Sequence, residues 1–257
     1  MKITVLAENT ACREDVIAQH GLSLYLETNG YRILFDMGQD TAFAWNAEVL
    51  GIDLAKVDFA IISHGHYDHG GGLAEFLRIN QNAPVYIHEN AFESYYNGTE
   101  KYIGLDVSFQ DHPRLIFTKQ IAQLPCGMQL TDCNHLGWTH DSWGLHCKIG
   151  DVFVPDGFLH EQYLQITEGE KRYLISGCSH KGIVNIASHF QPDVLIGGFH
   201  LSKQEDQQAL TRIGETLLSG QTVYYTGHCT GGQQSMYLKQ IMGERLQILS
   251  TGMTIEV

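Results

Sequence analysis

The chain has little positive charge, few prolines and no long apolar run. Sixteen Lys and Arg stand against 29 Asp and Glu, a net charge of −13. Such a surface repels phosphate backbones and anionic bilayers, so neither a nucleic-acid nor a membrane partner is expected. No apolar stretch approaches the length of a membrane span. The opening MKITVLAENTACREDV has one early Lys, a short apolar run and charge by Glu8. It reads as a first strand and not as a signal peptide. The six cysteines include no CxxC pair, which removes the usual thioredoxin-like and zinc-ribbon spacings. Free thiols in a reducing cytoplasm are the expectation. Repeats, low-complexity tracts and Pro- or Ser-rich linkers are also missing. The 257 residues are therefore expected to form a single domain, with a core that needs no disulfide.

Histidine, by contrast, is abundant. Fourteen against sixteen Lys plus Arg raises the expectation of a metal site. The pattern along the chain says where to look. Residues 2–6, 22–28 and 31–35 read as strands, with Asn29-Gly30 a tight turn between the last two. A helix is predicted at 41–50, a buried strand at 58–62, a helix at 73–80 and a strand at 85–88. Residues 90–150 are the least regular, with strand-like pieces at 114–118 and 128–132. This region is expected to be an insertion or lid. Regularity returns with strands at 162–167, 172–176, 193–197 and 222–226, and near 246–249 and 253–257. Helices are predicted at 182–190, 203–218 and 233–242. Strands followed by helices in both halves point to an α/β protein with two sheets and helices outside.

The strongest signal is 61-IISHGHYDHGGGL-73, an apolar strand followed by His64-x-His66-x-Asp68-His69 and three glycines. Imidazoles suit Zn²⁺, Mn²⁺ or Fe²⁺, and a carboxylate suits a harder or a second cation. Four ligand-type groups exceed what one tetrahedral ion needs from a single loop, so two ions sharing the loop are expected. The glycines are read as letting the backbone turn beside them. Partners must come from later strand ends. The candidates are Cys178 and His180 in SGCSHKGI, His200 in GGFHL and His228 in TGHCTGG.

This HxHxDH pattern after a hydrophobic strand, with ILFDMG upstream, resembles the metallo-β-lactamase superfamily. The resemblance implies a four-layer αββα sandwich over the whole chain, with a mono- or dinuclear metal site at the sheet edges. It implies that His64 and His66 bind one metal and that Asp68 and His69 bind another, with His228 as the last ligand of the second. The family's bridging aspartate is replaced here by Cys178. The usual TPGHT-like segment is replaced by 155-PDGFLHEQYLQI-166. The first metal is then completed by His160, Cys178 or His180, with His180 preferred for the reach of its imidazole. His200 has no slot in the family's ligand set and is assigned to substrate binding or proton transfer, with His160 and Cys178 as alternative contacts behind the metals. His20 and Glu161 are weaker candidates for support of the ligands. The remaining histidines are assigned to the surface, the lid or the core.

The four motifs together resemble the dihydropterin ribofuranosylaminobenzene phosphate synthase-like branch of metal-dependent hydrolases. The resemblance implies hydrolysis of a small, phosphorylated or pterin-like molecule by a metal-activated water, with Asp68 orienting it or taking its proton. Zinc is the expected metal, with Mn or Fe as alternatives. A non-hydrolytic synthase and a non-catalytic metal-binding protein are the competing readings. A di-iron oxidoreductase of the same fold is disfavoured, because it carries glutamate where this chain has His66.

Overall fold

The computed structural model describes residues 1–257. Strands β1 (Lys2–Ala7), β2 (Ser23–Thr28) and β3 (Tyr31–Phe35) form an antiparallel meander. Asn29 and Gly30 both take positive φ, 50° and 81°, which suits the two-residue turn that pairs Thr28 with Tyr31. Helix α1 (Ala42–Val49), β4 (Phe59–Ile61), the single turn α2 (Tyr67–Gly70), α3 (Leu73–Ile79) and β5 (Val85–His88) follow. The chain next forms β6 (Tyr95–Asn97), β7 (Lys101–Tyr102), β8 (Leu115–Thr118), β9 (Ile121–Gln123) and β10 (Gln129–Thr131). The second half holds β11 (Leu145–Ile149), β12 (Val152–Pro155), β13 (Tyr163–Glu168), β14 (Lys171–Ile175), α4 (Ile183–Phe190) and β15 (Val194–Ile196). It closes with α5 (Gln207–Leu218), β16 (Val223–Thr226), α6 (Gly232–Met242), β17 (Leu246–Ile248) and β18 (Thr254–Glu256). No helix is long and apolar enough to cross a membrane.

Two seven-stranded sheets carry the architecture, in the orders β18-β1-β2-β3-β4-β5-β8 and β17-β16-β15-β14-β13-β10-β9. Each joins an antiparallel part to a parallel part. Strand alternation sets the layers, because successive side chains point to opposite faces. Ile33 and Phe35 of β3, Tyr173 and Ile175 of β14, and Val194 and Ile196 of β15 enter the core between the sheets. Leu34 and Ala60 face the other way, onto Phe43 of α1 and Phe76 of α3. Leu174 and Leu195 meet Ile186 of α4, Leu210 of α5 and Leu238 of α6. The result is an α/β sandwich with helices on both outer faces.

Residues 90–150 contribute more than connections. Strand β8 closes the first sheet, and β9 and β10 close the second. β6 and β7 join β11 and β12 in a third, four-stranded sheet. Strands β8 and β10 fall on the strand-like pieces read at 114–118 and 128–132, whereas β6, β7 and β9 have only two or three residues, too few to show a period-2 pattern. Helix α5 starts at Gln207, later than predicted, because the Asp206 carboxylate accepts the Gln208 N–H and caps it there.

The reason for the glycine triplet also differs from the one read from sequence. Gly71 and Gly72 have ordinary negative φ, −65° and −76°. A Cβ on Gly71 would fall 2.2 Å from the Gln39 carbonyl, and one on Gly72 would fall 2.3 Å from that of Met37. Glycine is needed because the segment after β3 passes directly over this loop.

Candidate metal centre

The parallel strands of both sheets end on one edge, where α/β proteins commonly place ligands. β3 delivers Asp36, and β4 delivers Ser63, His64, His66, Asp68 and His69. β14 delivers Cys178 and His180, β15 delivers His200 and β16 delivers His228. Side chains up to 160 residues apart meet there. His180 Nε2 lies 3.3 Å from His64 Nε2. His69 Nε2 lies 3.1 Å from His228 Nε2 and 3.1 Å from Cys178 Sγ. Asp68 Oδ2 lies 3.3 Å from His228 Nε2. The His66 ring sits 4.6 Å from that of His64 and 5.0 Å from that of His180. Cys178 Sγ is common to three groups of ligand atoms, one with His64 and His180, one with His69 and His228, and one with His200 and Cys229.

The hydrogen bonds behind these groups reveal their tautomers. Asp36 accepts at Oδ2 from His69 Nδ1, at 2.7 Å, so His69 Nε2 points into the cluster. Ser63 Oγ donates to Asp36 Oδ2 and therefore accepts from His64 Nδ1, at 2.8 Å. Asn9 Oδ1 accepts from His228 Nδ1, at 3.0 Å. Three Nε2 atoms thus face inward. His66 Nε2 and His180 Nδ1 are buried with no hydrogen-bond partner. Ring nitrogens 3.1 Å apart need a proton or a cation between them. Histidine ligands anchored through their other nitrogen by carboxylate, hydroxyl or amide are the usual support of a metal. The residues present therefore fit divalent cations.

Electrostatics agree. Burial pushes His64 and His180 well below the usual histidine range, which leaves them neutral. Burial also opposes charge on His69, but Asp36 outweighs it and raises the imidazole to about 9. The carboxylate that attracts that proton would equally attract a cation. Burial opposes ionisation of Asp68 too, yet hydrogen bonds from His20 and His228 hold it well below the carboxylate range. The His20 bond to Asp68 Oδ2 is 3.1 Å. Burial disfavours both Cys178 and Cys229 thiolates, and the bond between them raises the first and lowers the second.

The alternatives left open by the sequence separate geometrically. Both ring nitrogens of His160 are engaged, Nδ1 accepting from Gly65 N–H at 2.8 Å and Nε2 donating to Asp156 Oδ2 at 3.2 Å. His160 lies behind His66 and presents no free lone pair, whereas His180 and Cys178 both reach the cluster. His180 is aimed by Phe158, stacked on it at 4.3 Å, and by Glu161, which accepts its backbone N–H at 2.8 Å. His200 lines the adjoining cavity and packs 4.1 Å from the His180 ring. His88 is buried against Asp132, away from the cluster. His112, His135, His140, His146 and His189 belong to no ligand group.

Sequence reasoning missed Asp36, Ser63, Asn9 and Asp156. Asp36 had one usable signal: it is an acidic residue at a strand end, before a glycine, inside the ILFDMG stretch. Asp156 and Asn9 had none. The cluster opens into a cavity of about 270 Å³ walled by Tyr67, Asn97, Lys101, Leu145 and Lys203. A larger groove of about 590 Å³ beside Trp45 and Arg78 holds no ligand group.

Comparison with known proteins identifies the arrangement. Residues 17–228 match the family model of the metallo-beta-lactamase superfamily. A Methanocaldococcus jannaschii protein of uncharacterised function is 30% identical over 93% of this chain and 94% of its own length. The same organism's 7,8-dihydropterin-6-methyl-4-(beta-D-ribofuranosyl)-aminobenzene-5'-phosphate synthase is 27% identical over 100% of this chain and 96% of its own length. The crystal structure of Tm1679, described as a metal-dependent hydrolase of the beta-lactamase superfamily, superposes with a TM-score of 0.85. It is 28% identical and covers 100% of this chain and 99% of its own.

Proposed function

The chain belongs to the metallo-β-lactamase superfamily, and on that premise we propose that it is a metal-dependent hydrolase of a small-molecule substrate. The observation that carries the reading is the pair of Nε2 atoms of His69 and His228, buried 3.1 Å apart and each fixed from behind through Nδ1. His64, His66 and His180 would hold one cation, and Asp68, His69 and His228 a second. Cys178 lies between them, where the family's bridging aspartate would stand. Zinc suits this donor set best, with Mn or Fe as alternatives. Such cations supply Lewis acidity and a water of lowered pKa.

The chain's own residues do the rest. Asp68, kept ionised by His20 and His228, orients the attacking water or takes its proton. His200, at the cavity wall, contacts substrate or passes a proton. The cavity accepts a small molecule, and the acidic surface disfavours nucleic acid or membrane as partner. Zinc content of the purified chain, with a hydrolysis screen over phosphomonoesters, phosphodiesters, lactones and thioesters, tests the reading. A metal-free chain inactive with every added divalent ion would overturn it.

A second reading rests on the 27%-identical synthase. Under it the same centre serves a synthase reaction on a pterin-like, phosphorylated substrate. Product formation without hydrolysis, in the same screen supplemented with dihydropterins, would favour it. Metal binding with neither activity would favour a non-catalytic protein.

A further inference from the structure

The proposed ion sites do not use Cys229, yet it lines the same cavity as Cys178. Cys178 follows β14 and Cys229 follows β16, so β15 runs between them. Their sulfurs are nevertheless within 4.8 Å of each other, and Cys229 Sγ is 3.5 Å from the Cys178 carbonyl oxygen. Gly198, just past β15, makes the meeting possible. A Cβ there would fall 2.3 Å from Cys229 Sγ and 3.6 Å from Cys178 Cα, so any side chain would wedge the thiols apart. A ring nitrogen of His200 lies within 4.8 Å of both sulfurs, and His200 Nδ1 has no hydrogen-bond partner. Ser179, His200 and His228 all hold positive φ, which turns the three strand ends toward one another.

We propose that Cys178 and Cys229 are a reversible dithiol–disulfide pair, a modification site for hydroperoxides small enough to enter the cavity. The Cys229 sulfur attacks one peroxide oxygen, and the O–O bond breaks. The thiol proton passes through the His200 ring nitrogen to the departing hydroxide, which leaves as water, and Cys229 becomes a sulfenic acid. The Cys178 sulfur then attacks the Cys229 sulfur. The S–S bond forms, the S–O bond breaks, and the second water leaves with the Cys178 proton. The pair loses two electrons, and hydrogen peroxide is reduced to two waters. The disulfide no longer offers a thiolate to the centre, so oxidation also releases metal. That consequence, unlike the pairing, rests on the metal reading above.

The test uses the full chain loaded with zinc and treated with hydrogen peroxide. Remaining thiols are alkylated, the protein is digested without reductant, and peptides are mapped by mass spectrometry. The expected result is a peptide joining Cys178 to Cys229 within one chain, lost on dithiothreitol treatment, with zinc appearing in a chromogenic chelator in step with it. Cys229→Ser, and Cys229→Ala should the serine variant fold poorly, should give no joined peptide and keep their zinc. Recovery of both cysteines from treated wild type as alkylated thiols, or as separate sulfinic acids, overturns the pairing. A joined peptide from a chain that held no zinc before treatment keeps the pairing and removes the metal reading.

Discussion

Asp36 Oδ2 lies 2.7 Å from His69 Nδ1, and the same carboxylate reaches His64 through Ser63 Oγ. One buried acid therefore fixes the tautomers of an imidazole from each of the two proposed ion sites. Its other oxygen accepts the Ser63 N–H at 2.7 Å, which ties the strand end itself to the same group.

Asp36→Asn should weaken metal binding about 10- to 100-fold, because an amide offers one acceptor and cannot anchor both histidines as donors. Competition against a chromogenic chelator measures this directly. Affinity equal to wild type would mean that Asp36 only supports the fold.

His180→Ala should lower the metal content of the purified chain, as should His64→Ala and His228→Ala. His160→Gln should leave the number of ions unchanged. Elemental analysis gives the stoichiometry. Anomalous scattering at the metal edge should place the His180 nitrogen, and not that of His160, about 2.0–2.2 Å from an ion.

His160 also predicts an acid sensitivity. Burial lowers its pKa to about 4 from an ordinary 6.5, despite the neighbouring Asp156. Between those values the unfolded chain binds a proton that the folded chain refuses. Stability should therefore fall as pH drops from about 6.5 to about 4, by an amount on the order of 3 kcal/mol. Urea midpoints across that window should flatten in His160→Gln. An equally steep loss in the variant would place the titrating group elsewhere.

Lys181 is buried, and its ammonium donates to the Asp132 carbonyl at 2.6 Å, to Asn134 Oδ1 at 2.7 Å and to the Glu161 carbonyl at 3.1 Å. Lys181→Met leaves those acceptors unsatisfied and should cost about 2–4 kcal/mol by denaturant unfolding. Because Glu161 also holds the His180 N–H, metal affinity should fall with it. A stability loss with unchanged affinity would confine the network to a structural role.

Excess zinc should raise the thermal midpoint and EDTA should lower it. Free metal at 100 times its dissociation constant stabilises the folded state by about 2.7 kcal/mol. A midpoint indifferent to both would argue against any metal held by the native chain.

Much of this was legible in the amino-acid order because local chemistry dictates it. The strands of both main sheets carry apolar runs or alternation, and Asn29-Gly30 marks its own turn. Six of the seven groups crowded in the cluster follow directly on a hydrophobic strand as histidine or aspartate: His64, His66, Asp68, His69, His180 and His228. The third sheet was not legible. Its strands are short and half-exposed, and they are stabilised by Tyr95, Leu145 and Phe158 meeting at long range.

The sequence by itself determined which strand ends carry ligand-type side chains, since spacing along one chain is enough to bring a loop's own residues together. Only the tertiary structure decided which of them meet. It turned His160 away, because Gly65 and Asp156 occupy both its nitrogens. It drew Asp36 and Asn9 in as anchors and set Cys178 beside Cys229 across a glycine. Most of these choices depend on how the two sheets align, through contacts between residues 33 to 219 positions apart, and no local pattern encodes that alignment.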